Sequence, residues 1–159
     1  MAKKPLGVDV VAGIVAGVVG LFLIIAIWTN LVFPAPIVSG GGSILSGPDI
    51  SLAEHEWGFN QFAKGGPEIC ASSNTTSPKN ITVTLKNTGI NLHGFQIVRA
   101  DTGAFVAGLN KTDLLRPQEV RHITIDVSHI APGSYYYICP VSGHRQKGMI
   151  APFVVQPGC

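Results

Sequence analysis

Charged residues are scarce in this 159-residue chain. They make up 13% of it, about half the share of an ordinary soluble protein, and the formal net charge is only +2. The sequence contains no basic run and no patch in which basic and aromatic residues alternate. A nucleic acid is therefore not an expected partner.

Charge is missing altogether from one long apolar run near the N-terminus, which extends from Val10 to Trp28. A helix rises about 1.5 Å per residue, so a run of this length nearly crosses a ~30 Å hydrocarbon core. Lys3 and Lys4 precede the run, which predicts a cytoplasmic N-terminus and an extracytoplasmic C-terminal part. The alternative is a cleaved signal peptide, but its apolar region is usually shorter and ends at a small-residue cleavage site.

The chain therefore divides into an anchor, a linker and one outer domain. Gly13 and Gly17 form a G-x-x-x-G pattern in the apolar run, which favours packing against another membrane helix, although composition alone also accounts for it. The segment before the outer domain is uncharged and rich in Gly, Pro and Ser, as linkers are. We predict a cytoplasmic N-terminus over 1–9, a transmembrane helix over 10–33, a linker over 34–48 and an extracytoplasmic domain over 49–159.

The outer domain has no convincing amphipathic helix and no internal repeat. Short runs of β-forming residues alternate instead with turn signals such as Asp101-Thr102-Gly103. Val83 and Leu85 alternate with polar neighbours, as on a half-buried strand. We predict an all-β, two-sheet Greek-key sandwich or barrel. Its strands are expected over 49–54, 67–71, 80–86, 92–99, 104–107, 119–127, 134–139 and 151–156.

Four residues of this domain have side chains and a spacing that suit a metal site. Cys139, His144 and Met149 follow one another with the spacing C-x4-H-x4-M, and His93 lies beside an earlier predicted strand. A thiolate, two imidazoles and a weak thioether are the ligands of a type 1, or blue, copper site, which transfers single electrons. Taken singly, a cysteine in a sandwich is usually a small buried hydrophobe and a histidine is usually solvated. The remaining histidines have no ligand spacing and are interpreted as surface groups: His55, His122 and His129.

The loop from Cys139 to Met149 resembles the copper loop of cupredoxins, most closely that of rusticyanins and archaeal sulfocyanins. The resemblance covers roughly residues 50–157. It implies a cupredoxin sandwich, one copper ion on His93, Cys139, His144 and Met149, and one-electron transfer in a respiratory chain. It also implies that His144 is the partly exposed ligand through which electrons pass. The expected partner is a heme protein, a cytochrome complex or a heme–copper oxidase in the same membrane.

A second resemblance is to subunit II of heme–copper oxidases. It rests on Glu56-Trp57-Gly58-Phe59 followed by His93-Gly94-Phe95. The binuclear copper centre of that family needs a second cysteine and a carboxylate in its loop, whereas only Pro-Val-Ser-Gly separates Cys139 from His144. Mononuclear copper is therefore favoured. The alternative to a mobile carrier is a subunit fixed within an oxidase complex.

The cupredoxin resemblance has two further consequences. Many cupredoxins carry Asn or Ser directly after the first histidine, where the side chain ties the ligand loops together. Here that position is Gly94, so either another group holds the loops or the site is looser. In the cupredoxin sandwich early and last strands are neighbours, which brings Cys70 and Cys159 within reach of a disulfide, with two free thiols as the alternative.

Other functions are less consistent with the sequence. A copper nitrite reductase or multicopper oxidase needs a second copper cluster with further paired histidines, and this sequence does not offer them. A copper chaperone needs several exposed Met and His ligands, but the chain has only two methionines. A copper-free assembly subunit would not need an intact ligand set. Three N-x-S/T sequons are compatible with an extracytoplasmic location, although the signal is weak: Asn74, Asn80 and Asn110.

Overall fold

The computed structural model describes residues 42–74 and 79–159 of the chain. They form ten strands in two sheets. The larger sheet has the order β1-β4-β10-β9-β6-β7, from β1 (Ile44–Ser46), β4 (Glu68–Ser72), β6 (Gln96–Arg99), β7 (Phe105–Gly108), β9 (Gly133–Ile138) and β10 (Ile150–Gln156). The smaller sheet has the order β3-β2-β5-β8, from β2 (Asp49–His55), β3 (Gly58–Phe59), β5 (Asn80–Asn87) and β8 (Val120–Asp126).

The core lies between the two sheets because alternate residues of each strand are apolar. On β5, Ile81, Val83 and Leu85 are buried while the threonines between them are not. They belong to one hydrophobic cluster with residues of the larger sheet, such as Tyr137 and Phe153. The predicted alternation of Val83 and Leu85 is confirmed, and so is the β-sandwich.

All eight predicted strands are present, most of them shifted by a residue or two at their ends. The strand predicted over 92–99 begins later, because His93 makes only an isolated bridge to Leu115 before β6 starts at Gln96. Two short strands, β1 and β3, were not predicted. β1 pairs with β4 and lies within the segment predicted as a linker, so the sheet begins before Asp49.

Helical structure is confined to two single turns in the described ranges, a 3-10 turn over Val127–His129 and α1 over His144–Lys147. Neither is long enough to cross a membrane, and residues 42–74 and 79–159 contain no other helix. The predicted cytoplasmic N-terminus, transmembrane helix, G-x-x-x-G contact and most of the linker lie outside the described residues.

A disulfide joins β4 to the C-terminus. β10 pairs in parallel with β4, and Cys70 stands opposite Val154 near the end of β10. Cys159 follows shortly after β10, and its Cα lies 5.4 Å from that of Cys70 in the bonded pair. The predicted disulfide is therefore confirmed, and Cys139 is the free cysteine, buried in the core.

Candidate metal centre

The segment between β9 and β10 is a closed loop that turns back on itself. Cys139 directly follows β9, His144 opens α1, and Met149 directly precedes β10. The backbone N–H of Met149 donates to the His144 carbonyl at 3.0 Å, and that of Cys139 donates to the Met149 carbonyl at 3.2 Å. Gly143, with φ of 82°, supplies the left-handed conformation that starts α1 and that side chains disfavour. The backbone thus holds three of the four predicted ligands together.

His93 reaches the same place from the segment between β5 and β6. The backbone N–H and carbonyl of His93 both bond to Leu115, at 3.1 and 2.8 Å. Its ring Nδ1 lies 3.8 Å from Cys139 Sγ, and the Nδ1 of His144 lies 3.4 Å from the same sulfur. One donor atom from each of these three residues falls within 4.8 Å of the others. His93, Cys139 and His144 therefore form a group with the spacing of metal ligands.

The group is shielded from solvent. His93 and Cys139 are fully buried, and His144 is 7% exposed. Met149 is also fully buried and belongs to the same core cluster as Cys139. Such a site excludes water and confines a bound ion to the protein's own ligands.

Burial also sets the protonation of the three groups. It raises the pKa of the Cys139 thiol to about 11, although backbone N–H groups of Val141 and Gly94 donate to the sulfur and lower it in part. Burial lowers the pKa of His93. Burial also lowers the pKa of His144, with further contributions from repulsion between the two rings when both are protonated and from the charge of Lys147. Both imidazoles are therefore neutral near pH 7, the form in which histidine binds a metal.

The tie between the two ligand segments is the backbone of Gly94. Its N–H donates to Cys139 Sγ. A Cβ at this position would lie only 3.3 Å from Pro140 Cδ, directly after Cys139, and 3.0 Å from Leu114 Cδ2. The backbone of Gly94 thus connects the two ligand segments in place of the Asn or Ser side chain that the cupredoxin resemblance implies. The closeness of Leu114 and Pro140 favours glycine at this position.

Glu56 contacts the ring of His93 from the side opposite the sulfur. The carboxylate Oε1 lies 3.3 Å from His93 Nε2. Burial raises the pKa of Glu56, but hydrogen bonds from Ile90 and Asn91 outweigh it and lower the pKa to about 2. Glu56 was noted in the sequence only as part of a motif, because no local pattern reveals that the turn after β2 meets the segment before His93.

His144 is less exposed than the cupredoxin resemblance implies. The Trp57 ring packs against it edge-on, with the ring centroids 5.0 Å apart. Lys147 Nζ lies 3.8 Å from the centroid of the Trp57 ring, within the range of a cation–π contact. Trp57 is itself half-buried, so it covers His144 and presents part of its own ring to solvent.

The remaining histidines lie outside the group. His122 and His129 are exposed, as predicted for surface groups. His55 is half-buried instead, and its ring nitrogens lie 2.7 Å from the Asn60 carbonyl and 3.3 Å from that of Glu56. It therefore braces the turn after β2, which the sequence did not predict.

A second carboxyl group, that of Glu54, affects the pKa of Cys139. Glu54 is fully buried on the core side of β2, and neither of its oxygens has a hydrogen-bond partner among the described residues. Burial raises its pKa to about 8, and its charge contributes to the raised pKa of Cys139. Position 54 continues the alternation of the buried Ile50 and Leu52 on β2, so the sequence contained a signal for this residue that was not used.

The architecture matches solved structures of copper proteins. Reduced auracyanin from the photosynthetic bacterium Roseiflexus castenholzii superposes with a TM-score of 0.53 at 22% identity, over 70% of this chain and 98% of that one. The domain has the cupredoxin fold. A laccase-like multi-copper oxidase from Ochrobactrum sp. superposes on the cupredoxin domain with a TM-score of 0.55 at 11% identity, over 73% of this chain but only 29% of that one. No protein-family model matches the chain, and no curated protein sequence matches it.

The donor set of the cupredoxin domain fits copper. One thiol and two neutral imidazoles converge with their Nδ1 atoms toward the sulfur, and a buried thioether lies next to them in the chain. Soft sulfur with two imidazoles suits copper, and a trigonal set of this kind with a weak axial methionine is typical of electron-transfer sites.

Proposed function

We propose that the cupredoxin domain holds one type 1 copper ion on His93, Cys139, His144 and Met149 and transfers single electrons. The observation that carries the proposal is the convergence of Cys139 Sγ and two histidine Nδ1 atoms in a buried pocket at one end of the sandwich. Copper bound there would alternate between Cu(II) and Cu(I), accepting and giving up one electron.

The surrounding residues favour fast transfer because they restrict movement of the ligands. The loop from Cys139 to Met149 is closed by backbone hydrogen bonds, and Leu115 fixes the backbone of His93. The N–H groups of Gly94 and Val141 hold the sulfur. Ligands fixed in this way keep nearly the same geometry in both oxidation states, so little rearrangement accompanies the electron.

We propose that electrons enter and leave at the edge formed by His144 and Trp57. His144 is the ligand nearest to solvent of the three that converge, and the Trp57 ring extends its contact outward. Arg145 and Lys147 are exposed on α1 beside this edge. Two positive charges favour a partner with an acidic face and a salt-dependent association rate.

The setting that we propose is a respiratory membrane. The apolar run within residues 10–33 would anchor the domain, with the N-terminus cytoplasmic and the domain outside. A heme protein, a cytochrome complex or a heme–copper oxidase in the same membrane would exchange electrons with it. A tether raises the local concentration of such a partner, so a small, weak contact would suffice.

Two alternatives remain to be separated by experiment. A subunit fixed in a heme–copper oxidase would copurify with the complex after mild detergent extraction, whereas a mobile carrier would separate from it. An oxidase activity of its own is the second alternative, favoured by the similarity to a multi-copper oxidase. Oxygen consumption with phenolic substrates by the purified protein would support that alternative, and we expect none.

Visible absorption of the oxidised protein tests the copper site directly. We expect an intense band near ~600 nm, as a thiolate bound to Cu(II) gives. Cys139→Ser should abolish it, while Met149→Leu should keep it and shift the reduction potential upward. Retention of the band in Cys139→Ser would show that the ligand assignment is wrong. A purple mixed-valence spectrum would favour a binuclear site.

Stopped-flow reduction tests the edge for electron transfer. We expect Trp57→Ala to slow exchange with the physiological partner while the visible spectrum stays the same. Arg145→Glu combined with Lys147→Glu should slow it at low salt and remove the salt dependence. The control is Lys79→Glu combined with Lys86→Glu, which changes the net charge equally. Lys79 directly precedes β5 and Lys86 lies on it. Equal rates for the two double variants would argue against steering by α1.

A further inference from the structure

The carboxylate of Glu56 accepts hydrogen bonds from the backbone that precedes His93 and contacts the His93 ring. Its Oε1 receives the backbone N–H groups of Ile90 at 2.9 Å and Asn91 at 2.8 Å, and the Asn91 side-chain amide at 3.0 Å. The fourth group at the same oxygen is His93 Nε2, at 3.3 Å. One oxygen thus connects the turn after β2 to the backbone before His93 and to the ring itself.

This contact fixes which nitrogen of His93 carries the proton. A carboxylate only accepts hydrogen bonds, so the neutral ring must place its N–H on Nε2, facing Glu56. Nδ1 then keeps its lone pair, and it is this atom that lies 3.8 Å from Cys139 Sγ. The ring is therefore set in the tautomer and the orientation that a metal between Nδ1 and the sulfur requires.

The two histidines differ in their nearest charged neighbours, although the charge of Glu56 also acts on His144. His93 faces the negative Glu56. The ring of His144 packs against Trp57, which carries Lys147 on its face, and the positive charge of Lys147 acts on His144. A carboxylate that accepts a hydrogen bond from an imidazole N–H makes the other ring nitrogen a stronger electron-pair donor to a metal, whereas a nearby cation does not.

We propose that Glu56 is a positioning residue that holds His93 in its metal-binding tautomer and favours Cu(II) over Cu(I), so that it lowers the reduction potential of the site. The inference rests on the copper site proposed above. Its physical basis is that a stronger donor and a nearby negative charge both stabilise the higher metal charge. The Glu56 side chain is 21% exposed, so water screens part of this effect.

Two variants alter the carboxylate in different ways. Glu56→Gln keeps an oxygen that accepts the hydrogen bonds but removes the charge. Gly89→Ala leaves Glu56 in place, but the new Cβ would come within 2.5 Å of its Oε2 and 2.6 Å of its Oε1, so the carboxylate must move away. Asp49→Asn is the matched control, because it removes one carboxylate from the start of β2, the strand that leads into the turn carrying Glu56.

The measurement is the reduction potential of the copper-loaded protein, recorded with its visible spectrum. We expect Glu56→Gln to weaken the preference for Cu(II) over Cu(I) about tenfold. For a one-electron couple this raises the reduction potential by about 59 mV. Gly89→Ala should shift the potential in the same direction, and Asp49→Asn should leave it unchanged. Equal potentials in wild type and Glu56→Gln, with a normal ~600 nm band in both, would overturn the inference while the proposed function stands.

A second readout needs no copper. In the metal-free protein, the ring 15N shifts of His93 should report the Nε2-protonated tautomer in wild type and a mixture of tautomers in Glu56→Leu. Wild-type protein with the proton on Nδ1 would overturn the positioning role whatever the metal. Absence of the ~600 nm band from copper-loaded wild type would overturn the proposed function and the tuning of the potential together.

Discussion

The backbone N–H of Gly94 donates a hydrogen bond to Cys139 Sγ, joining the two chain segments that carry the proposed ligands. The bond needs no side chain at position 94, and a Cβ there would meet Pro140 and Leu114 so closely that these side chains would have to shift. In this domain the backbone therefore performs the tie that the resemblance to cupredoxins assigns to an Asn or Ser side chain.

Gly94→Ala should therefore disturb the metal centre although it adds one methyl group. The new Cβ would lie 3.0 Å from Leu114 Cδ2 and 3.3 Å from Pro140 Cδ, so these neighbours must give way. We expect a loss of about 1–3 kcal/mol in the free energy of unfolding and weaker copper binding. Urea denaturation and a copper titration measure the two effects. Gly158→Ala, where a Cβ meets nothing within 4 Å, is the control and should match wild type.

Copper binding should release about one proton near pH 7. The Cys139 thiol, with its pKa raised to about 11 by burial, must lose its proton to become a ligand. Burial lowers the pKa of both histidines, so they are already neutral and release none. Calorimetry of Cu(I) binding in two buffers of different ionisation enthalpy counts the protons. Release of about two, or none, would contradict the protonation states described above.

The metal-free domain should lose stability as pH rises, because of Glu54. Burial raises its pKa from 4.5 to about 8 in the folded state, so the folded protein binds a proton that the unfolded chain releases. Its contribution is therefore complete below pH 4.5 and is lost as pH rises to about 8, for a total of about a few kcal/mol.

Denaturation of the metal-free domain at several pH values measures this loss. Glu54→Gln should flatten the dependence between those two pH values and should be more stable than wild type above the upper one. Asp49→Asn, an exposed change on the same strand, should keep the wild-type slope. A slope that persists in Glu54→Gln would assign the effect to another group.

Removal of the disulfide should destabilise the domain without altering the copper site. Cys70 and Cys159 are separated by 89 residues in sequence, and a bond that closes a long loop restricts the unfolded chain. We expect Cys70→Ala with Cys159→Ala to lose about 2–4 kcal/mol of unfolding free energy and to keep the ~600 nm band. Mass spectrometry without reduction checks the bond itself, since alkylation of Cys70 or Cys159 in the native protein would show it to be open.

The strands and the ligand spacing were predictable because both depend on residues close together in sequence. Val83 and Leu85 mark β5 by alternation alone, and the C-x4-H-x4-M spacing lies within one loop. β1 and β3 were missed because two or three residues carry no periodic signal. Their strand structure comes from pairing with β4 and β2, which no local pattern reveals.

The contacts around the ligands were not predictable for a similar reason. Trp57 covers His144, and Glu56 binds His93, across long stretches of sequence. The resemblance to cupredoxins led to the expectation of a partly exposed His144, because the residue that covers it belongs to a different part of the chain. Glu54 is different, since it continues the alternation of Ile50 and Leu52 along β2, a local pattern from which its burial could have been predicted but was not.

β10 begins directly after Met149 and ends near the disulfide, which makes the C-terminus a natural point of attachment. Seven strand residues span about 20 Å, so a dye, an affinity tag or an electrode linker fused after Cys159 would be held at that distance from the ligand loop. The disulfide would keep such a linker from swinging back. Protein immobilised this way would present the end bearing His144 and Trp57 to the solution, so voltammetry with a dissolved partner would sample the unobstructed face.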